Sequence, residues 1–278
     1  MLQRTFYKTR RRVQLRSSER LVHSSPSRGF STRLVRIAAA VAVAVAVTLI
    51  SHRVHAASSE WMDVEGRIQY AFYIEDTHAL SDVADQLARD EAPEDALQNY
   101  YAGLANYRLA LLLVTRDKVQ ARNAIERCTA NLDRAVKANA EFAAGLALQS
   151  ACLRTLSSLK PWSPLAGSKS AGQMEKAVKL APKDPRVLLL GALESGEGAR
   201  LDEPSLTKLK KAAQAFETER QGVDRTPGWG AAEAYTYLGL GYLDRGDVLA
   251  ARDALERALL IAPDFALARR LLSKITSG

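Results

Sequence analysis

From Ser59 onward, apolar residues recur every three or four positions with little interruption, the spacing of helices that bury one stripe. Trp61, Val64, Ile68 and Phe72 mark a first helix. Thr77 is placed to cap a second, on which Leu80, Val83, Ala84 and Leu87 share a face. Pro93 suits the first turn of a third, where its missing N–H costs nothing. That helix continues through Leu97, Tyr100, Tyr101 and Leu104 to about Val114, and its partner is expected from Lys118 to Lys137, with Ala121, Ile125, Cys128, Leu132 and Ala135 on one side. No segment alternates in the manner of a strand bounded by turns. The chain is expected to be all-α.

Near the C-terminus the helices acquire a repeat. In Ala232–Phe265, Tyr235 is followed by Leu238-Gly239 and then Tyr242; Gly246-Asp247 makes a turn, and Ala251, Leu255, Ala258 and Pro263 follow. This succession resembles the 34-residue tetratricopeptide unit position by position. The small residues Gly239 and Ala258 let two helices approach, while the larger ones fill the gaps between neighbouring units. Three weaker units precede it. One spans about Gln98–Ala140 with a lengthened second helix. Another pairs a helix around Phe142–Leu159 with a tail at Ala177–Pro182 across a loop at Lys160–Ser168. In the third, Val187, Leu190 and Gly191 start a helix whose partner holds Ala212 and Phe216, with Ser195–Pro204 inserted between them. The resemblance implies a right-handed superhelical α-solenoid of helix-turn-helix repeats over residues 93–278, preceded by a helical hairpin at 57–92. Each hairpin has an apolar face that only its neighbour can cover. The final helix, Phe265–Ile275, is expected to cap the open end.

Upstream, Ile37–Ile50 is a run of 14 uncharged, almost wholly apolar residues. As a helix it reaches about 21 Å, short of a hydrocarbon core of about 30 Å. Arg36 precedes it and Val54-His55-Ala56 follows, so residues 34–56 are expected to be a signal peptide cleaved after Ala56. The alternative is a retained anchor whose basic tail, residues 1–33, faces the cytoplasm. A translation start near Val35 would shorten that unusually long leader. The repeats with their widened loops, together with the run Pro227–Tyr235, also resemble small exported bacterial tetratricopeptide proteins that have no assigned activity.

Charge follows the same division. The chain's net +8 arises from the first 56 residues, which carry +10, so residues 57–278 are left at −2 with bases and acids interspersed. Nucleic acid is therefore not an expected partner. Chemistry is equally sparse. His78 is the one histidine of the mature chain and reads as a surface residue beside a helix cap. Gly239-Leu240-Gly241 lies inside a helix and Gly196-Glu197-Gly198 lacks a following Lys-Ser, so neither makes a phosphate cradle. No cofactor, metal or catalytic residue is expected, and an unrecognised enzyme would most plausibly use the loops at Trp162 and Gly196. Cys128 and Cys152 each lie 12 residues from a turn near Ala140. An antiparallel helix pair would put them at one height, either as a disulfide worth about 3–4 kcal/mol or as two reduced core thiols.

By the resemblance, the concave side is lined by the first helix of each unit. Its inward positions are Glu233, Thr236, Leu240 and Asp244 in the last unit, with Asn99 and Asn106 at the corresponding places in the first. Such a groove is expected to hold a protein or peptide. The acidic residues disfavour capture of a peptide's terminal carboxylate, which repeats of this kind achieve with Lys, Arg and Asn.

Overall fold

The computed structural model describes residues 60–89, 95–160, 164–194, 200–219 and 227–276. All belong to the second of the chain's two units, Val54–Gly278. The basic leader, the export segment, Pro93, Trp162 and Gly196 lie outside the described residues.

Eleven helices and no strands occur among the described residues. They are α1 (60–73), α2 (Thr77–Arg89), α3 (Ala96–Leu113), α4 (Lys118–Ala138), α5 (Ala143–Leu159), α6 (Pro164–Leu180), α7 (Pro185–Ala192), α8 (Glu203–Glu219), α9 (Ala231–Leu243), α10 (Val248–Ile261) and α11 (Ala266–Thr276). Aspartates start many of them. The side chain of Asp95 accepts from Leu97 N and Gln98 N, and Asp117 and Asp184 repeat this pattern at α4 and α7. Asp247 accepts from Ala250 N. Each cap satisfies backbone N–H groups that have no partner inside the helix.

The fold is an α-solenoid of helical repeats. Hairpins α3–α4, α5–α6, α7–α8 and α9–α10 pack in sequence, and α11 closes on α10 and α9. In the last unit Tyr235, Leu238, Ala251 and Leu255 are all buried. A Cβ on Gly239 would lie 2.6 Å from Leu255 Cγ, so that glycine sets the α9–α10 approach. Gly103 has the same role between α3 and α4, where Leu132 Cγ would be 2.8 Å away. Ala258 is fully buried, whereas Pro263 is exposed in the turn before α11.

Several boundaries differ from expectation for local reasons. Asp76, not Thr77, supplies the α2 cap, through Ala79 N at 2.9 Å, and Thr77 is the first helical residue. Asp95 caps α3, so the third helix starts after Pro93. Pro164, Gly167 and Ser168 belong to α6 rather than to a loop, because proline is tolerated at a helix start. Glu203 and Pro204 likewise open α8, behind Asp202, which accepts from Ser205 N.

Candidate functional site

The inner helices have no wet side. Every residue of α3 from Gln98 to Ala110 is buried, and α9 is buried from Ala232 to Gly239. An open solenoid would leave these helices a solvated stripe. Two things cover them here: α1 laid across the inner face, and the Gly228–Trp229 segment that leads into α9.

Helix α1 presents Trp61, Val64, Glu65, Ile68 and Phe72 inward, one side of a 3.6-residue helix. The ring of Trp61 stacks on Tyr101, with centroids 5.6 Å apart. At the other end Phe72 and Tyr73 meet Phe265 at 5.9 and 4.5 Å. The chain then turns at Glu75, a non-glycine residue at φ 59°. This left-handed conformation is held by two cations: Glu75 accepts from Arg270 at 2.6 Å and from Arg116 at 3.2 Å. The Arg270 bond chiefly, and then the other positive charge against burial, lowers the Glu75 pKa.

Beneath α1 runs a chain of buried polar contacts. Arg108 of α3 donates to Glu233 of α9 across the inner face, and each side chain is 1% exposed. The second oxygen of Glu233 accepts from the Tyr73 hydroxyl at 3.0 Å. The Arg108 guanidinium lies over the rings of Phe72 at 4.2 Å and Trp229 at 4.7 Å, a cation–π arrangement that strengthens where water is excluded. Trp229 in turn donates its indole N–H to the Tyr100 hydroxyl at 2.8 Å. Glu65 accepts from Tyr101 at 2.8 Å and from the backbone N–H of Gly228 at 2.9 and 3.0 Å. Burial raises the Glu65 pKa, against the lowering effect of these donors. Burial, then the neighbouring Glu233 charge, raises Tyr73. Arg186 makes a bidentate pair with Glu219 at 2.9 and 2.5 Å. Arg108 and Arg186 are thus each matched by a carboxylate within the chain, as buried charges must be.

The residues expected to line an open groove are distributed otherwise. Glu233 is spent on Arg108 and Tyr73. Thr236 is fully buried and donates to Ala232 O. Asn99 donates to Asp95 O, and Asn106 donates to Ala102 O while accepting from Arg127. Leu240 is half-buried, and only Asp244, following α9, is exposed. The expectation of an accessible inner groove is therefore corrected. α1 and the segment holding Gly228 and Trp229 cover it.

His78 is exposed in the first turn of α2. No cluster of His, Cys, Asp or Glu among the described residues is arranged to hold a metal ion. Cys128 of α4 and Cys152 of α5 form a disulfide, with Cα atoms 6.3 Å apart and both residues fully buried.

Arg108, Glu65, Tyr73 and Trp229 were not singled out in the sequence. One signal existed: Arg108 is the lone charge in Ala96–Leu113, a helix with no polar face. Such a charge has to be buried with a partner. The identity of that partner, 125 residues away, is not encoded locally.

No protein-family profile and no curated protein matches the sequence. Among solved structures, the chain is similar to one described as the crystal structure of the APC/C hetero-tetramer Cut9-Hcn1. The identity is 14% and the TM-score 0.20, over 75% of this chain and 48% of that one. The chain thus spans about half the length of that solved chain, and its fold assignment stands on its own helix pairs.

Proposed function

We propose that the chain is an exported, non-catalytic scaffold of tetratricopeptide-like helix pairs that docks a helix of a protein partner on the outward side of α1. The observation that carries this reading is the strip formed by Met62, Gly66 and Tyr70. Met62 is 52% and Tyr70 57% exposed, and a Cβ on Gly66 would meet nothing within 4 Å. Residues four apart share a helix face, so two large apolar side chains flank a bare stretch of backbone that a second helix can approach. α1 is fixed at both ends and presents the strip rigidly, which lowers the entropy lost on docking. Asp63 and Arg67 border the strip, so the partner helix needs an apolar stripe between polar edges.

Export is supported by the apolar run at Ile37–Ile50 with Val54-His55-Ala56, and by the buried Cys128–Cys152 disulfide, a bond typical of oxidising compartments. Intact-mass measurement of the exported protein tests it: the mature chain should begin at Ala57. A chain retaining the preceding residues would favour a membrane-anchored scaffold with a basic cytoplasmic tail. Docking is tested by a photo-crosslinking side chain placed at Tyr70, with another at Val119 on α4 as control. One protein should be trapped at Tyr70 but not at Val119, and Met62→Glu should abolish the product. Equal trapping at both positions would refute the strip as the docking surface.

A further inference from the structure

A cleft of about 770 Å³ lies between α5 and α6 of the second repeat, with Glu194, just after α7, at its edge. Its walls combine Arg154 and the hydroxyls of Ser157 and Ser158 with the apolar surfaces of Ala171, Met174 and Val178. Arg154 faces the cleft without a carboxylate. Its Nε is buried without a hydrogen-bond partner, as are those of Arg108 and Arg186, and no ion pair engages its guanidinium among the described residues. The two fully buried arginines have carboxylates, Arg108 with Glu233 and Arg186 with Glu219, whereas Arg122, half-buried like Arg154, has none among the described residues. A buried unpaired donor on a cation is costly to keep and calls for an acceptor. The cleft's own carboxylates are held by other cations, Glu175 by Lys179 at 2.6 Å and Glu194 by Lys208 at 3.6 Å.

We infer that this cleft binds a monocarboxylate with an apolar body, its carboxylate paired with Arg154. A planar guanidinium matches a carboxylate through two parallel N–H bonds. Ser157, three residues after Arg154 on the same face of α5, offers its hydroxyl to the same anion, whereas the Ser158 hydroxyl donates to Thr155 O. Met174 is buried at the wall and Val178 is 46% exposed at the rim, an apolar path leading out from the cation. The net charge of the lining selects a monoanion. With Glu175 held by Lys179 and Glu194 by Lys208, Arg154 is left as a single uncompensated cation, which matches one negative charge.

Titration calorimetry of the mature protein in a carboxylate-free buffer tests this with octanoate, octanol and octyl phosphate. Octanoate should bind with one site per chain, and at least tenfold more tightly than either of the others. Arg154→Leu should reduce octanoate to the level of octanol, while its melting temperature is unchanged or higher because an unpaired buried donor has been removed. Val178→Glu, at an exposed position that cannot unfold the repeat, should weaken octanoate at least fivefold. The inference is overturned if octanoate does not bind, if octanol binds as well, or if Arg154→Leu binds octanoate like the unaltered chain. A lower melting temperature for Arg154→Leu, with octanoate affinity kept in Val178→Glu, would also overturn it, by making Arg154 a structural residue.

Discussion

Arg108 and Glu233 are so completely enclosed that neither can be removed alone without leaving an uncompensated charge. Arg108→Ala should therefore destabilise the protein by about 3–5 kcal/mol in urea denaturation, whereas Arg108→Met combined with Glu233→Leu should recover most of the loss. Recovery separates the cost of an orphaned charge from the worth of the pair. Glu65 makes an opposite case. Its pKa is raised in the folded state from the ordinary 4.5, chiefly by burial, so the folded protein binds that proton more tightly than the unfolded one. The stabilisation from protonated Glu65 is fully present below pH 4.5 and is lost as pH rises through the raised value. Glu65→Gln should accordingly be more resistant to urea than the unaltered protein at pH 7, and that advantage should shrink as pH falls through the same window. A variant weaker at pH 7 would mean that the Gly228 and Tyr101 contacts depend on the charge.

At the scale of elements, the disulfide joins neighbouring repeats by tying α4 to α5. It closes a loop of 24 residues, for which chain entropy gives about 3–4 kcal/mol. Unfolded protein should show no reactive thiol before reduction and two afterwards, and reduction should lower stability by about that amount. The glycines divide sharply. Gly239→Ala would push a methyl against Leu255, at 2.6 Å from Cγ and 2.8 Å from Cδ2, and should cost about 1–3 kcal/mol. Gly66→Ala meets open space and should leave stability equal or up to about 1 kcal/mol higher. Thermal melts of the two variants compare an internal helix crossing with an outward face. These elements were largely legible in the sequence, because a helix, its aspartate cap and a glycine crossing depend on residues close along the chain. The helical stripe of Leu80, Val83, Ala84 and Leu87 is buried as its spacing predicts. Boundaries shifted where two residues competed for one local job, as Asp76 and Thr77 do at the start of α2.

For the whole molecule, the sequence misleads about the inner face for one physical reason. Glu233, Thr236, Asn99 and Asn106 are polar, and polar residues on a repeat's inward positions suggest solvent or a partner. Their burial depends on contacts 125 to 163 residues apart, among them Arg108 with Glu233 and Glu65 with Gly228, which no local pattern announces. The chain carries its own occupant for the groove in α1, and the acid and aromatic residues of that helix are matched one by one beneath it. For other molecules the chain offers the strip on α1 and the cleft beside α5. The strip requires α1 to stay in place.

Native-state hydrogen exchange tests that placement most directly. If α1 is an integral layer across the inner face, the amides of Ile68–Phe72 should exchange only with global unfolding, at the same free energy as those of Ala232–Leu238 in α9. Exchange in α1 more than about a hundredfold faster than in α9 would show a helix that opens on its own, and would contradict the closed inner face.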